Sequence, residues 1–305
     1  MRKLDELFDK IGSFKKTVRL AVAVGHDEDI LKSVTVASEK GIVEVVLFGD
    51  AERTKSLANA LNLDLKKVNL VHVEDPIVAG RMAVESISKG EADLLMKGKI
   101  KTGDLMRIFL QKEYGLRTGR TLSAVSVFEL RTYHKLLIVS DGGMVISPDL
   151  QQKVDIIENA VFVAQTLEID TPKVAIVGAI EVVNPKMPIT LDASILSKMN
   201  ERGQIKNCIV DGPFAFDNAV SKEAALIKGI NSSVAGDADI LIVPDIESGN
   251  ILSKALIYLA GAKAATVVVG ARVPVVLTSR ADNDETKLFS IALGALISLK
   301  TGHKG

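Results

Sequence analysis

A strand, a polar turn and the start of a helix follow one another in residues 239–250, which read Asp-Ile-Leu-Ile-Val-Pro-Asp-Ile-Glu-Ser-Gly-Asn. The apolar run within this stretch is continuous rather than alternating, which is typical of a strand that is covered on both faces. Helical spacing of apolar residues then runs from Ile251 to about Leu259. Because a strand that leads through a short turn into a helix is the repeating unit of parallel sheets, this stretch predicts the α/β class.

Short apolar runs of the same kind alternate with helical segments along the whole chain. Ten further runs are predicted as strands: 19–24, 43–48, 68–73, 93–96, 123–128, 136–139, 173–177, 207–210, 265–269 and 273–277. The segments between them indicate right-handed helical crossovers and therefore a largely parallel arrangement. The clearest helix runs to about Leu167, with Ser147 predicted as its N-cap and Pro148 at its first position.

Length and composition restrict the class of protein. The 305 residues exceed what one hydrophobic core usually serves, which predicts two domains, and the rhythm of strands and helices puts their boundary near Val139. Apolar residues make up 47% of the chain and charged residues 25%, which excludes a disordered or fibrous protein. The 38 basic residues balance the 38 acidic ones, so no overall field favours nucleic acid or an anionic membrane.

The chain shows no sign of export or of membrane insertion. Residues 1–16 do not resemble a signal peptide, and no apolar run reaches the roughly 18 residues that a spanning helix needs. We therefore predict a cytoplasmic protein with neither a membrane nor a nucleic acid as partner. The single cysteine, Cys208, lies in an apolar run and is interpreted as a buried structural thiol rather than a nucleophile. The four histidines lack the spacing of metal ligands, so no metal site is predicted.

In parallel α/β sheets, ligands bind beyond the carboxyl ends of the strands, so the loops that follow predicted strands are the candidate sites. In the loop 244–250, Glu247, Gly249 and Asn250 stand before a helix that carries Lys254 one turn later. Free backbone N–H groups at a helix start, together with a lysine, favour an anion. A well-capped, solvated turn is the alternative.

A basic loop follows the predicted strand 93–96. It reads Lys-Gly-Lys-Ile-Lys-Thr over residues 97–102, with Lys97 at its start and Thr102 as the predicted N-cap of a helix that carries Arg107. Arg120 ends a glycine- and arginine-containing segment shortly afterwards. These cations suit a phosphate group or a nucleotide tail, although the P-loop spacing is absent. A solvated basic turn is the alternative.

Three other strand ends carry polar groups. Ser140 and Asp141 precede two glycines whose backbone donors suit a ligand, with a plain turn as the alternative. Asp211 and Asp217 flank a turn after another strand, where capping is preferred to metal binding. The loop 278–285 reads Thr-Ser-Arg-Ala-Asp-Asn-Asp-Glu and combines a hydroxyl, a guanidinium and carboxylates, as an acyl-phosphate reaction requires, with an acidic helix cap as the alternative.

Five motifs in order resemble those of the phosphate acetyl/butyryltransferase family, over roughly residues 97–299. They are 97–102, Ser140-Asp141 with Pro148, the Val-Asp-Gly-Pro-Phe-Ala-Phe-Asp of 210–217, the Pro-Asp-Ile-Glu-Ser-Gly-Asn of 244–250, and the Thr-Ser-Arg of 278–280. The Val-Asp-Gly-Pro and Thr-Ser-Arg-Ala-Asp forms are more similar to the butyryl branch than to the acetyl branch.

The resemblance implies two largely parallel α/β domains around a cleft, similar to isocitrate and isopropylmalate dehydrogenases. The first domain would comprise 1–138 and 279–305 and the second 139–278, in a homodimer or higher homo-oligomer. The substrates would be short-chain acyl-CoA, acyl phosphate and inorganic phosphate, in short-chain fatty acid metabolism. Coenzyme A would then be a substrate, with no tightly bound cofactor.

By the same resemblance, Ser279 and Arg280 would be catalytic residues in the cleft, and Lys254 would contact phosphate. Acetyl members of the family carry an aspartate, a proposed base, where Thr286 stands in this sequence. Glu285 is therefore the first candidate for the base and Asp282 the second.

Two other functions remain open from the sequence alone. A metal- and NAD(P)-dependent decarboxylating dehydrogenase shares the implied fold and would need clustered aspartates such as Asp211, Asp217 and Asp245. A non-catalytic binder of coenzyme A or of a phosphorylated metabolite would use the same basic loops without turnover.

Overall fold

The computed structural model describes residues 1–279 and 281–302. Two compact units divide the chain, and both are discontinuous in sequence. Unit A comprises residues 4–120 and 265 onward, and unit B comprises residues 1–3 and 121–264. The domain bounds expected from the sequence, 1–138 with 279–305 and 139–278, stay a prediction beside this division.

Strands and helices alternate along the described chain. The strands are β1 (Val18–Ala23), β2 (Val43–Gly49), β3 (Val68–His72), β4 (Leu94–Lys97), β5 (Ser123–Glu129), β6 (Leu137–Ser140), β7 (Lys173–Gly178), β8 (Ile209–Ala215), β9 (Ile240–Ile242), β10 (Lys263–Val269) and β11 (Val275–Val276). The α-helices are α1 (Glu6–Gly12), α2 (Glu28–Glu39), α3 (Ala51–Ala60), α4 (Pro76–Ser88), α5 (Thr102–Phe109), α6 (Leu150–Thr166), α7 (Pro188–Glu201), α8 (Phe216–Val220), α9 (Lys222–Ile227), α10 (Ile246–Tyr258) and α11 (Asp284–Thr301). None of these helices has the length and apolar character that crossing a membrane demands.

The strands pair mostly in parallel in each unit. In unit A the order is β3-β2-β1-β4-β11-β10, with all printed pairs parallel except β10 with β11. In unit B the order is β5-β6-β9-β7-β8, with only β5 and β6 antiparallel. The prediction of a largely parallel α/β protein is confirmed. Because parallel strands end at one edge of a sheet, the loops that follow β1, β2, β4 and β11 share an edge of unit A, and those after β6, β7 and β9 share an edge of unit B.

Apolar packing holds each sheet against its helices. In unit A, α11 lies close to β4, since a Cβ atom at Gly294 would stand only 2.8 Å from a methyl group of Leu94. Phe289 of the same helix is buried and stacks on Phe8 with 5.6 Å between ring centroids. In unit B a buried cluster that includes Phe128, Phe214 and Leu241 lies between the sheet and α10. These cores fix the strand ends from which the polar loops project.

Three predicted element ends are wrong. Asp149, rather than Ser147, caps α6, because its carboxylate accepts from the Gln152 backbone N–H at 2.8 Å while the Gln152 side chain accepts from Asp149 N–H at 3.0 Å. Thr102 is the first residue of α5 and not its cap. Strand β11 comprises two residues instead of the predicted 273–277.

The start of α10 is also earlier than predicted. The helix begins at Ile246 and not at Ile251, because Asp245 accepts from both the backbone N–H and the hydroxyl of Ser248, at 2.8 and 2.6 Å. Gly249 and Asn250 therefore lie in the first turns of the helix rather than in the loop before it.

Candidate functional site

The loop after β6 in unit B is organised by Asp141. This side chain is only 3% exposed. One carboxylate oxygen accepts from the backbone N–H groups of Ala124, Gly143 and Met144, at 3.1, 2.9 and 3.0 Å, and the other accepts from Val145 N–H at 2.9 Å. Burial raises the pKa of Asp141, and these four bonds oppose that rise. All of its printed hydrogen bonds are thus to the backbone of its own unit.

Ser140 and the following glycine complete this loop. The buried hydroxyl of Ser140 donates to the carbonyl of Ala124 at 3.0 Å. A Cβ atom at Gly142 would lie 2.8 Å from the carbonyl carbon of Gly249, and one at Gly249 would lie 2.7 Å from the Cα of Gly142. Only glycine fits at both positions, because the obstructing atoms are backbone. The loop after β6 therefore packs directly on the first turn of α10, where Asn250 Nδ2 also donates to the Gly142 carbonyl at 3.4 Å.

The first half of α10 presents the remaining predicted groups of unit B. Glu247 is exposed and acidic in the first turn. Lys254, two turns further on, is half-buried, and its ammonium lies 5.9 Å from the ring centroid of Tyr258. Tyr258 is a neighbour that the sequence did not single out. Unit B thus brings Ser140, Asp141, Gly249 and Asn250 into contact, while Lys254 stands farther along the helix.

An apolar cavity of about 410 Å³ opens beside the start of α10. It is formed by the strand ends of β7 and β9, the start of α7 and the first turns of α10. Its walls are Val177, Gly178, Ala179, Met187, Ile189, Phe216, Val243, Pro244, Ser248 and Leu252. Such walls suit a short hydrocarbon chain.

In unit A, the basic loop after β4 divides into an inward and an outward part. Lys97 is only 7% exposed, and its ammonium donates to the carbonyls of Gly98 and Ile100 at 3.1 and 3.5 Å, across the loop. Thr102 is exposed, as is Arg107, whose guanidinium pairs with Asp104 at 3.0 Å. These three side chains therefore serve different surroundings although they are close in sequence.

Arg120 lies at the end of the glycine- and arginine-containing segment and is exposed. Its backbone N–H donates to the hydroxyl of Thr118 at 3.3 Å, and that hydroxyl donates to the Gly270 carbonyl at 2.5 Å. This segment is tied to the end of β10 within unit A and does not belong to the loop after β4.

The loop after β11 is a compact turn around Ser279. The Asp282 carboxylate accepts from the Ser279 backbone N–H at 2.8 Å, and the Ser279 hydroxyl accepts from Ala281 N–H at 3.3 Å. Lys287 is only 1% exposed, and its ammonium donates to the Asp282 carbonyl and pairs with Asp29 at 3.5 Å. A buried lysine thus holds the turn against the start of α2. No pattern in the sequence distinguishes Lys287 from a solvated lysine.

The carboxylates at the start of α11 differ in their surroundings. Asn283 caps the helix by accepting from Thr286 N–H at 2.8 Å, and Glu285 is exposed in the first turn. Burial, and next the neighbouring Asp29, raises the pKa of Asp284, a carboxyl group that the sequence did not single out. The predicted catalytic Arg280 lies outside the described residues.

The groups considered for metal binding or nucleophilic attack have other partners. Asp211 accepts from the Ser232 hydroxyl at 2.5 Å, and Asp217 pairs with Lys228 at 3.0 Å. Across residues 1–279 and 281–302, no three His, Cys, Asp or Glu side chains form a group that suits a metal ion. Burial, and next the charge of Glu158, raises the pKa of the Cys208 thiol to about 11, so it is protonated near neutral pH.

Comparisons with known proteins agree over nearly the whole chain. The family described as phosphate acetyl/butaryl transferase matches residues 4–77 and 72–295. Phosphate acetyltransferase of Thermotoga maritima is 58% identical over 283 residues, which cover 93% of this chain and 96% of that protein. Phosphate butyryltransferase of Clostridium acetobutylicum is 46% identical over 298 residues, which cover 98% of this chain and 99% of that protein.

Solved structures give the same result. A branched-chain phosphotransacylase from Enterococcus faecalis V583 superposes with a TM-score of 0.82 at 32% identity, covering 92% of this chain and 99% of its own. A 4-hydroxythreonine-4-phosphate dehydrogenase from Klebsiella pneumoniae, at 12% identity and a TM-score of 0.54, covers 92% of this chain and 100% of its own and shares the fold alone.

Proposed function

We propose that this chain, which belongs to the phosphate acetyl/butyryl transferase family, is a phosphate acyltransferase that moves a short acyl group reversibly between coenzyme A and inorganic phosphate. The observation that carries the proposal is the similarity over nearly the full length, at 58% and 46% identity, to proteins named for this reaction. It favours the transferase over a dehydrogenase, for which the likeness is one of fold only.

In the proposed mechanism, the thiol of coenzyme A attacks the carbonyl carbon of an acyl phosphate directly. A carbon–sulfur bond forms, the bond between that carbon and the phosphate oxygen breaks, and inorganic phosphate leaves. A thiol with a pKa near 8.5 is mostly protonated at neutral pH, so a carboxylate that takes its proton accelerates the attack. The reverse reaction uses the same groups.

Ser279 and Arg280 are proposed to act on the reacting centre. The Ser279 hydroxyl would donate to the oxyanion that develops on the carbonyl, and the Arg280 guanidinium would bind the phosphoryl oxygens in a bidentate manner. Lys254 would neutralise charge on the leaving phosphate. We retain Glu285 as the first candidate for the base, because the Asp282 carboxylate is already engaged with the Ser279 backbone N–H.

The other predicted binding residues enter the proposal with different roles. Lys97, Thr102, Arg107 and Arg120 would extend a cationic wall for the phosphates of the substrate. Ser140, Asp141 and Gly249 would act through the backbone they position, since the side chains of Ser140 and Asp141 hydrogen-bond within their own loop. Glu247 and Asn250 would lie at the edge of this loop.

The acyl chain is proposed to be butyryl or a branched chain of similar size. Similar proteins carry the names acetyl-, butyryl- and branched-chain transferase, so the names alone leave the chain length open. The apolar cavity of about 410 Å³ beside α10 supports a chain longer than acetyl. A homodimer or higher homo-oligomer located in the cytoplasm completes the proposal, with coenzyme A as a substrate and no tightly bound cofactor.

The proposal is tested by following the thioester absorbance of acyl-CoAs from C2 to C6 with purified protein. We expect loss of absorbance only when phosphate is added, unchanged by a chelator, and fastest with C4 chains. Absence of turnover across the whole series would refute the transferase, and chelator-sensitive reduction of NAD(P)⁺ by a 2-hydroxy acid would identify the dehydrogenase instead. Arg280→Ala should lower kcat by about 100-fold, as expected when a charged contact to the transition state is lost.

A further inference from the structure

A second polar cavity, of about 480 Å³, lies in unit A where three strand-end loops meet. His26 comes from the loop after β1, Arg53 and Ser56 from α3, which follows β2, and Lys99 from the loop after β4. Glu52, Leu57 and Ala60 complete the walls. None of these seven residues belongs to the site described above.

Backbone contacts fix the cationic side of this cavity. The Gly98 and Lys99 backbone N–H groups donate to the carbonyls of Ala23 and Val24, at 2.8 and 2.6 Å. A Cβ atom at Gly98 would lie 2.0 Å from the Val24 carbonyl oxygen, so a glycine is needed for the two loops to approach. Lys99 is therefore held next to the loop that carries His26.

The cations of this cavity lack counter-charges. The side chains of Arg53 and Lys99 make neither a hydrogen bond nor an ion pair with any residue that the structure describes, and both are exposed to the cavity side. Glu52 instead pairs with Lys55 at 3.1 Å. A local excess of positive charge at the end of a cavity attracts an anion.

His26 supplies an independent sign of a missing ligand. Its Nδ1 atom is buried and has no hydrogen-bond partner within residues 1–279 and 281–302. A buried polar atom without a partner carries a free-energy cost that a bound donor or acceptor removes. Burial first, and then the charges of Arg53 and Lys99, lower the pKa of His26, while Asp50 and Asp27 oppose this.

We propose that this cavity binds a nucleotide, with a phosphate group between Lys99 and Arg53 near His26 and with the sugar and base against Ser56, Leu57 and Ala60. The combination of cations on one side with a hydroxyl and two aliphatic side chains on the other matches the mixed chemistry of a nucleotide.

The nucleotide that fits the rest of unit A is the phosphorylated adenosine end of coenzyme A, an identification that rests on the proposed function. The loops after β2, β1, β4 and β11 share one edge of the sheet, in that spatial order. Three strand spacings of about 4.8 Å therefore put the cavity about 14 Å along this edge from the loop that carries Ser279. One extended molecule with phosphates at one end and a thiol at the other suits that separation.

The test is binding calorimetry on the purified full chain, with coenzyme A, adenosine 3′,5′-bisphosphate and orthophosphate titrated separately. Lys99→Ala and Arg53→Ala remove the exposed cations of the cavity, and Lys66→Ala, whose ammonium is 88% exposed and pairs with Asp64, is the matched control. We expect adenosine 3′,5′-bisphosphate to bind the wild type and Lys66→Ala equally, and each cavity variant about tenfold more weakly or worse. Thermal melting curves check that all variants are folded.

Every outcome decides the matter. Equal affinities in the wild type and both cavity variants would overturn the proposal, as would binding of orthophosphate with no binding of the bisphosphate. Because this titration needs no turnover, it separates the cavity from the transferase reaction. Weakened bisphosphate binding with no acyl transfer by the wild type would support a nucleotide site but refute coenzyme A turnover, whereas a raised KM for coenzyme A at unchanged kcat in Lys99→Ala supports both.

Discussion

The loop after β6 in unit B and the loops after β1, β2 and β4 in unit A occupy the same position in the fold, yet they use polar side chains in opposite ways. In unit B, the Asp141 carboxylate holds four backbone N–H groups and is almost completely buried. In unit A, Arg53 and Lys99 reach the cavity without a partner among the described residues. The first arrangement builds a scaffold, and the second leaves charge available to a ligand.

This difference teaches how to interpret polar residues at strand ends. A carboxylate whose oxygens are occupied by backbone donors affects the ligand only through the loop it shapes, so its loss appears first as a loss of stability. A cation without a partner adds little to stability, so its loss appears first in binding. The two regions therefore predict different readouts for substitutions of similar chemistry.

The largest effect is expected from Asp141→Ala. It leaves four backbone N–H groups without their acceptor in a buried loop, which should reduce the free energy of unfolding by about 4 kcal/mol. Denaturant unfolding of the variant and of Asp64→Ala, whose carboxylate is exposed, measures the difference. A loss below about 1 kcal/mol would show that this loop does not depend on Asp141 and would remove the contrast between the two units.

Ser279→Ala should come next and should affect catalysis instead of stability. If the hydroxyl donates to the developing oxyanion, its loss lowers kcat by about 100-fold, or about 3 kcal/mol, while the unfolding free energy changes little. Steady-state kinetics of the variant, with the exposed Ser13→Ala as control, measure this. A kcat within twofold of the wild type would exclude Ser279 from the reaction.

A smaller effect is expected at the apolar cavity of unit B. Ala179 is exposed in its wall, so Ala179→Phe fills part of the space that we assign to the acyl chain. The ratio of kcat/KM for butyryl-CoA to that for acetyl-CoA should fall by about tenfold, the amount typical of an altered apolar pocket. Ala260→Phe, outside the cavity, is the control. An unchanged ratio would show that the acyl chain binds elsewhere.

Cys208 should have no effect on catalysis. Its pKa of about 11 leaves it a thiol at pH 8, and it is only 8% exposed, so iodoacetamide should label the folded protein far more slowly than the denatured one. Cys208→Ser should retain the wild-type kcat. Rapid labelling of the folded protein together with loss of turnover would point to a covalent mechanism through this thiol.

The fold class could be predicted because it depends on local patterns. Continuous apolar runs and intervening helical periods identified the strands and their parallel arrangement. Ends were less predictable: β11 keeps only two residues, and α10 starts at Ile246 because Asp245 bonds to Ser248. Two neighbouring capping residues are equivalent in sequence, and the side-chain bonds that select one of them form only in the folded chain.

The site was predictable where one loop holds it and not where the topology assembles it. The loops of Ser140-Asp141 and of 278–285 follow strands and could be recognised as polar segments. Their internal bonding could not, because the donors to Asp141 include Ala124 of another strand. The cavity of His26, Arg53 and Lys99 draws on three strand ends that only the order β2-β1-β4 brings together.

The central claim is the exchange of an acyl group between coenzyme A and phosphate, and product stoichiometry tests it most directly. Purified protein is incubated with butyryl-CoA and phosphate, the released thiol is measured with a thiol reagent, and the acyl phosphate is trapped as a hydroxamate. The account predicts equal amounts of thiol and acyl phosphate, with neither product when phosphate is omitted. Thiol release without acyl phosphate, or release that does not require phosphate, would mean hydrolysis and would contradict the account.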